Sequence, residues 1–252
     1  MKRHIPNIIT CLNLVCGAAA VILTLWGYWW PAFCFMLAGA VFDFCDGAAA
    51  RLLGAYSDIG KELDSLSDMV TFGLAPALMF FSWYYKVNTD YPSWVAFIAL
   101  IIAPLSAVRL AKFNLDDRQK TGFIGLPTPS LAMIVGSLTA YGHVCIQNGV
   151  EGVLLRLLCS SWFIPVASVF LALMLISEIP MFSLKGGADS KRVAVIRKIV
   201  MISAVLIIIL CIIFRPQGVP FFALLFLMIF FFFAWYLIAQ ILTLLVPDQA
   251  QK

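Results

Sequence analysis

The feature that most constrains this chain is a series of long stretches that contain no charged side chain. Thirty-nine consecutive positions separate Arg3 from Asp43, and 32 separate Arg215 from Asp248. Five further uncharged stretches of 16 to 30 residues lie between them. A helix needs about 20 apolar residues to cross a bilayer, whereas the alternating segments of about 10 residues typical of outer-membrane barrels do not occur. The pattern therefore predicts a helical protein that crosses a membrane several times.

The composition excludes a water-soluble globular protein of this length. Of the 252 residues, 63% are hydrophobic and 12% are charged, whereas soluble domains have about 45–50% apolar and about 25% charged residues. Too few polar side chains remain to cover a surface that faces water. The seven cysteines form no CxxC pair, so the sequence predicts neither a disulfide framework nor a zinc site.

We predict an all-α fold, a single polytopic membrane domain over residues 1–252 with about eight transmembrane helices. Gly27 and Pro31 are turn-forming residues and mark the boundary between the first two helices. The predicted helices cover residues 5–26, 32–53, 65–83, 94–111, 130–150, 162–182, 195–214 and 221–246.

The distribution of Lys and Arg predicts the orientation, because short cytoplasmic loops hold an excess of basic residues. With eight helices and a cytoplasmic N-terminus, 14 of the 17 basic residues lie on the cytoplasmic side. They are Lys2, Arg3, Arg51, Lys61, Arg109, Lys112, Arg118, Lys120, Lys185, Lys191, Arg192, Arg197, Lys198 and Lys252. The outer side holds Lys86, Arg156 and Arg215. Both termini are therefore predicted to face the cytoplasm.

The first apolar stretch contains polar groups at helical spacing. Asn7, Thr10 and Asn13 follow one another at intervals of three residues. The apolar core of a cleaved signal peptide does not need such groups, so we expect this segment to remain as the first membrane helix.

Four aspartates lie in the segment 41–68, within or beside the second and third predicted helices. Asp43 and Asp46 are three residues apart and share one helix face, while Asp64 and Asp68 are four apart and share another. Ionisable side chains are costly at membrane depth and by default mark a functional site. Two helices that face each other at these positions would bring the four carboxylates into one cavity.

Four carboxylates at close range cannot all stay charged without cations. Hard oxygen ligands suit Mg²⁺ or Mn²⁺, and a pair of such ions typically neutralises a phosphate or diphosphate substrate. Gly47, Ala50 and Gly60 are small residues beside the carboxylates, where a helix or a ligand can approach closely. Arg51, one turn from Gly47, is placed to bind a phosphate oxygen through two donors. We therefore expect a divalent-metal site for a substrate that contains phosphate.

The same residues resemble the signature of a known family. The pattern D-x2-D-G-x2-A-R-x8-G-x3-D-x3-D is typical of the CDP-alcohol phosphatidyltransferases, and the chain matches it without a departure. The matching residues are Asp43, Asp46, Gly47, Ala50, Arg51, Gly60, Asp64 and Asp68. The resemblance implies that the signature lies on the second and third membrane helices, open to the cytoplasm of a bacterial-type inner membrane. It also implies a homodimer.

The resemblance further implies a role for each residue of the signature. Asp43, Asp46 and Asp64 are expected to bind metal, and Asp68 to bind metal and act as general base on the incoming alcohol. The residues expected to bind the CDP group are Gly47, Ala50, Arg51, Gly60, Asn7 and Thr10. The last two belong to a P-N-x-x-T stretch that many members have at the start of the first helix. Pro6 in that stretch could alternatively do no more than begin the helix.

The alcohol acceptor is expected to bind at the cytoplasmic loop 109–130. The R-L-A-K-F-N and F-x-G-L-P-x-P stretches of this loop are similar to those of bacterial and archaeal phosphatidylserine synthases of the membrane-spanning class. The residues expected at the acceptor are Arg109, Lys112, Asn114, Gly125 and Pro127. The two cations would pair with the serine carboxylate, while Asn114 and backbone carbonyls would accept hydrogen bonds from its ammonium. Arg109 and Lys112 could alternatively be helix-end cations that extend to the membrane surface.

Together these features predict the transfer of a phosphatidyl group from CDP-diacylglycerol to L-serine, giving phosphatidylserine and CMP. We expect the bilayer to hold the acyl chains of the lipid substrate. We do not expect the protein to bind nucleic acid. Three alternatives remain open: another acceptor such as glycerol 3-phosphate or inositol phosphate, an intramembrane prenyltransferase, and a cation transporter. A prenyltransferase lacks the D-G-x2-A-R continuation, and transporters often contain a repeat, whereas this Asp cluster occurs once.

Overall fold

The computed structural model describes residues 4–115, 123–181 and 220–245, together with the single positions 198, 202 and 209. Helices dominate the described residues. In chain order the α-helices are α1 (Ile5–Leu25), α2 (Trp29–Leu53), α3 (Asp58–Asp68), α4 (Ala75–Val87), α5 (Ile102–Leu115), α6 (Thr128–Gln147), α7 (Val153–Leu158), α8 (Phe163–Ile176) and α9 (Phe221–Leu245). A π-helical turn, Met69–Leu74, joins α3 to α4, and a 3₁₀ segment, Ser93–Ile101, leads into α5.

Six helical stretches among these residues are long and apolar enough to cross a membrane. They are Ile5–Leu25, Trp29–Leu53, Asp58–Val87, Ser93–Leu115, Thr128–Gln147 and Phe221–Ala239. α8 is apolar but shorter, since 14 residues make about 21 Å of helix, against a hydrocarbon core of roughly 30 Å. The predicted helix 195–214 lies outside the described residues except for three isolated positions. The chain is thus a polytopic helical membrane protein.

The turn before α2 differs in part from the prediction. Gly27 forms this turn with φ of +81°, a conformation that favours glycine. We expected Pro31 to mark the turn as well, but α2 begins at Trp29 and Pro31 lies in its first turn. The missing N–H of proline costs no intrahelical hydrogen bond there.

The third membrane helix begins earlier than predicted. α3 starts at Asp58 rather than at residue 65, because the Ser57 hydroxyl caps it by accepting a hydrogen bond from the Gly60 N–H over 3.0 Å. Such a cap satisfies one of the N–H groups that the first helical turn leaves without a partner. Asp58 in that turn also interacts favourably with the helix dipole.

α6 is the central helix of the described bundle. Every residue over 130–145 is buried, and α6 packs against α2, α4 and α9. α1 packs along α2 and also contacts α3 and the π-helical turn. On the outside of α1, Ile8, Val15 and Ile22 repeat every seven residues and are 47–63% exposed. Such a stripe is unfavourable in water and suits contact with lipid chains.

Two short antiparallel strands join the segment after α5 to the segment after α8. β1 (Phe123–Ile124) pairs with β2 (Pro180–Met181). Gly125 follows β1 with φ of +76°, and the Leu126 N–H donates to the Met174 carbonyl over 2.9 Å. This bond satisfies a carbonyl in the last turn of α8, so the segment before α6 is fixed against the segment after α8.

Candidate active site

Three carboxylates converge where α2 faces α3. Asp43 on α2 and Asp64 and Asp68 on α3 each offer an oxygen atom, and these atoms lie within 4.8 Å of one another. The spacing of four residues places both aspartates of α3 on the same helix face. The structure therefore brings together three of the four aspartates of the signature.

The chemistry of this cluster fits a divalent cation. All the available ligand atoms are carboxylate oxygens, which Mg²⁺ and Mn²⁺ prefer. The Oδ1 atom of Asp64 is buried and has no hydrogen-bond partner among the described residues, and Asp68 is only 9% exposed. A buried anionic oxygen without a partner is costly, and a bound cation would remove that cost.

Asn13 on α1 is a site residue that sequence reasoning did not assign. It is fully buried, and its amide nitrogen donates a hydrogen bond to Oδ1 of Asp68 over 3.2 Å. The available signal was its spacing of three residues from Thr10, which in turn follows Asn7 by three. That periodicity predicts one polar face on α1, but it does not show which aspartate the face contacts.

The π-helical turn after Asp68 packs closely against α1 and α2. The Thr71 hydroxyl in this turn donates to the Asn13 carbonyl over 3.1 Å. A Cβ atom at Gly17 or Gly39 would overlap Thr71, so the two glycines permit the close approach. π-helical turns occur frequently at functional sites, and this one holds the helix of Asp68 against the helix of Asn13.

A cavity of about 160 Å³ lies between α1, α2 and α3. We call it the smaller cavity, to distinguish it from a second one described below. Five of the six residues predicted to bind the CDP group line it, namely Asn7, Thr10, Gly47, Ala50 and Gly60. Asp46 and Asp64 also line it, and Asp46 accepts a hydrogen bond from the Thr10 hydroxyl over 2.6 Å. Asp46 therefore lies beside the three-carboxylate cluster rather than within it. Tyr56 and Lys61 line the same cavity and were not predicted.

Arg51, the sixth predicted residue, is exposed near this cavity. Its Nη1 atom lies 3.6 Å from the position that a Cβ atom would take at Gly47, so the guanidinium extends back along α2. A Cβ atom at Gly60 would come within 3.1 Å of Oδ1 of Asn7. Glycine at this position thus allows α3 to lie close to the start of α1.

A larger cavity, of about 430 Å³, lies between α5 and the end of α8. Arg109, Lys112 and Glu178 line it. Arg109 is 7% exposed, donates to the Thr128 hydroxyl over 3.3 Å, and has an Nε atom without a partner among the described residues. It also interacts electrostatically with Asp68, and α5 packs against the π-helical turn that follows Asp68.

The other three predicted acceptor residues do not line the larger cavity. The Asn114 amide donates to the Ser65 hydroxyl over 2.8 Å and ties α5 to α3. Gly125 lies in the turn after β1, and the Pro127 carbonyl accepts a hydrogen bond from the Ser130 N–H over 3.0 Å at the start of α6. Their contact with an acceptor stays a prediction.

The fold and the carboxylate cluster define a polytopic membrane protein with a candidate metal-dependent active site. The family model of the CDP-alcohol phosphatidyltransferases matches residues 3–176, which is more than half of the chain. The chain belongs to this family. Membership favours phosphatidyl transfer over the prenyltransferase and transporter alternatives.

Three relatives share the name CDP-diacylglycerol–serine O-phosphatidyltransferase. The protein from Bacillus subtilis is 36% identical over 152 residues, which cover 60% of this chain and 84% of the relative. The one from Methanocaldococcus jannaschii is 35% identical over 158 residues, 62% of this chain and 71% of the relative. The one from Mycobacterium leprae is 34% identical over 185 residues, 70% of this chain and 57% of the relative.

Proposed function

We propose that this protein transfers the phosphatidyl group of CDP-diacylglycerol to the hydroxyl of L-serine and releases phosphatidylserine and CMP. The observation that most supports this is that Asp64 of the carboxylate cluster lines the smaller cavity, while the larger cavity is lined by Arg109 of α5, a helix that packs against the π-helical turn after Asp68. The lining of the smaller cavity suits part of a nucleotide, and the charged groups of the larger cavity suit a zwitterion. The names of the relatives support the same reaction.

The smaller cavity would hold part of the CDP group. Asn7 and Thr10 supply hydrogen-bonding groups, Lys61 supplies a positive charge and Tyr56 an aromatic ring. Arg51 lies outside the cavity, where its planar guanidinium can bind a phosphate through two donors. The nucleotide and its diphosphate would thus lie along the start of α3.

We propose that Asp43, Asp46, Asp64 and Asp68 hold two divalent ions, Mg²⁺ or Mn²⁺. Such ions neutralise a diphosphate and stabilise the negative charge that develops on a leaving phosphate. The buried, unpartnered oxygen of Asp64 supports this assignment.

Asp68 is the proposed general base. The serine hydroxyl oxygen attacks the lipid-bearing phosphorus, its proton goes to the Asp68 carboxylate, and the phosphorus–oxygen bond to CMP breaks as the new one forms. This direct attack requires both substrates to be bound together and in line. Asn13 acts as a positioning residue, since its amide donates a hydrogen bond to Oδ1 of Asp68 and so fixes the orientation of that carboxylate.

The larger cavity would recognise serine through its two charges. Arg109 has a buried Nε donor without a partner among the described residues, and Lys112 adds a second cation for the serine carboxylate. Glu178 supplies the anion for the serine ammonium. Because α5 packs against the π-helical turn that follows Asp68, a serine bound at Arg109 would have its hydroxyl on the side of the proposed base.

An apolar groove of about 450 Å³ would hold an acyl chain of the lipid substrate. Val41 and Phe44 of α2 line it, together with Ile229 and Phe233 of α9. Val41 and Phe44 flank Asp43 in the sequence, so a lipid whose phosphate lies at the carboxylates has its chains beside this groove.

We further propose that the chain forms one domain of eight transmembrane helices in a bacterial-type inner membrane. Both termini and the active site would face the cytoplasm, as the 14 basic residues of the predicted cytoplasmic side support. A homodimer is proposed from the family resemblance. Reporter fusions at each terminus test the orientation, and cross-linking in membranes tests the dimer.

The central experiment is an acceptor panel with the purified full-length protein. CDP-diacylglycerol and a divalent metal are supplied with L-serine, glycerol 3-phosphate or inositol phosphate, and both CMP and the lipid product are measured. We expect rapid CMP release only when L-serine is the acceptor. Equal or faster turnover with either phosphorylated alcohol would overturn the serine assignment and leave the family assignment intact. Chelation of the metal should stop the reaction in every case.

A further inference from the structure

A separate cavity, of about 480 Å³, lies at the end of the bundle opposite the aspartates. Residues near the C-terminal ends of α1, α4 and α6 and at the start of α2 form its walls. Lys86 at this cavity and Asp68 belong to one continuous helical stretch, Asp58–Val87. Lys86 lies 18 positions after Asp68, which corresponds to about 27 Å of helix, so this opposite-face cavity is distinct from the candidate active site.

Ring contacts fix the walls of the opposite-face cavity. The Trp29 ring lies edge-on to Trp83 and to His143, with centroid distances of 5.1 and 5.2 Å. The Trp29 indole N–H donates to the Ser82 hydroxyl over 2.7 Å. Aromatic pairs in this geometry add stability beyond their burial, so the cavity is formed without a ligand.

The polar groups of the cavity are mainly hydrogen-bond donors. The Trp30 N–H donates to Nδ1 of His143 over 3.3 Å, so the ring proton is on Nε2. Thr24 is fully buried, and its hydroxyl has no partner among the described residues. Gln147 adds an amide and Lys86 a positive charge, while no Asp or Glu is among the described lining residues. This combination is complementary to an anion.

The position of the cavity indicates the source of that anion. Trp26 and Tyr85 also line it and are 70% and 60% exposed. Large aromatic side chains with a polar group are enriched at the level of the lipid headgroups. The cavity thus combines apolar walls with a cation and donors at the depth where phospholipid phosphates lie.

We propose that the opposite-face cavity binds the phosphate of a phospholipid headgroup from the leaflet opposite the active site. Lys86 would pair with the phosphate, while Thr24 and His143 would donate to its oxygens or to the glycerol backbone. The aromatic rings would contact the upper part of the acyl chains. This inference does not depend on which alcohol the active site uses.

The test measures lipid binding by the full-length protein in detergent after lipid removal. Dihexanoyl phosphatidylglycerol is titrated and the bound lipid is followed by native mass spectrometry. The Lys86→Gln variant is expected to bind about fivefold more weakly, which is the contribution of one basic residue to anionic lipid binding. Arg156→Gln is the matched control, because Arg156 is an exposed cation after α6 that pairs with Glu151 over 2.9 Å and does not line the cavity.

A second variant and two further probes complete the test. Thr24→Val keeps the shape of the side chain, and it should weaken lipid binding without lowering the thermal unfolding temperature. Dihexanoylglycerol, which lacks the phosphate, should bind much more weakly than the phospholipid. Inorganic phosphate that displaces the lipid at equal concentration would indicate a free-phosphate site and overturn the lipid assignment. Equal binding by Lys86→Gln and the parent protein would overturn the site itself.

Discussion

Asn13 and Asp68 are joined across the interface of α1 and α3 by a hydrogen bond of 3.2 Å from amide to carboxylate. Both side chains are buried. Thr71 lies three residues after Asp68 in the π-helical turn, and its bond to the Asn13 carbonyl holds the same two helices together. The orientation of the proposed base therefore depends on a neighbouring helix as well as on its own.

Replacing Asn13 with alanine tests this dependence. We expect kcat to fall about 10- to 100-fold, the usual cost of losing a group that orients a metal-site ligand. KM for CDP-diacylglycerol should change less, because Asn13 does not line the smaller cavity. Asn148→Ala removes an amide bonded to the Val144 carbonyl at the other end of the bundle and should leave both constants near their parent values. A similar loss of kcat in Asn13→Ala and Asn148→Ala would contradict the positioning role of Asn13.

The Asp64→Asn substitution tests the metal cluster. Amide for carboxylate keeps the shape and removes a charge that the cation needs, so turnover should fall by more than about a hundredfold, beyond the effect of losing an indirect partner. The rise in unfolding temperature on adding Mg²⁺ or Mn²⁺ should shrink as well. Asp58→Asn, at an exposed carboxylate of the same helix, is the control and should keep its activity and its response to metal. Turnover of Asp64→Asn within a few-fold of the parent would reject the ligand role.

The Arg51→Lys substitution distinguishes two roles for Arg51: binding a phosphate through two guanidinium donors, or supplying a positive charge alone. Lysine keeps the charge and loses the planar pair of donors, so Arg51→Lys should weaken CDP-diacylglycerol binding by about tenfold, the value of one charged hydrogen bond. Equilibrium binding to the purified variant measures this effect directly. Arg156→Lys, at an exposed ion pair, provides the comparison. Unchanged affinity in Arg51→Lys would favour a side chain that merely extends to the membrane surface.

The carboxylate cluster was largely predictable, because helical spacing alone places Asp64 and Asp68 on one face. The separate position of Asp46 was not predictable, since it depends on the hydrogen bond from Thr10 of another helix. The π-helical turn at Met69–Leu74 likewise leaves no local pattern in the sequence. Within this turn, Thr71 packs against two glycines that are distant in the chain, a contact that the local sequence does not reveal.

The position of Glu178 beside the larger cavity was not predictable from the sequence either. Glu178 follows an apolar helix and lies beyond the residues that the family model matches. The packing of α5 against α8 and the pairing of β1 with β2 bring it beside Arg109 and Lys112. Glu178 lies 69 positions after Arg109 in the sequence, and nothing in the intervening residues predicts that they line one cavity.

Arg109 is expected to bind the carboxylate of the acceptor. Arg109→Ala should raise KM for L-serine while leaving the affinity for CDP-diacylglycerol unchanged. Ethanolamine has the hydroxyl and the ammonium of serine but no carboxylate, so we expect slow turnover of ethanolamine by the parent protein and nearly the same rate in the variant. Kinetics with both acceptors measure the difference. An equal loss with serine and ethanolamine would assign Arg109 a structural role through its bond to Thr128.

Glu178 is expected to bind the ammonium of the same acceptor. Glu178→Gln should raise KM for L-serine about tenfold, the value of one charged hydrogen bond, without changing CDP-diacylglycerol binding. The decisive probe is 3-hydroxypropionate, which keeps the carboxylate and hydroxyl of serine and lacks the ammonium. The parent enzyme should strongly prefer serine, because a site with charged groups rejects analogues that leave them unpaired, and Glu178→Gln should lose much of that preference. Glu151→Gln, at the exposed pair with Arg156, should leave it unchanged. If Glu178→Gln keeps the full preference for serine over 3-hydroxypropionate, the ammonium is recognised elsewhere.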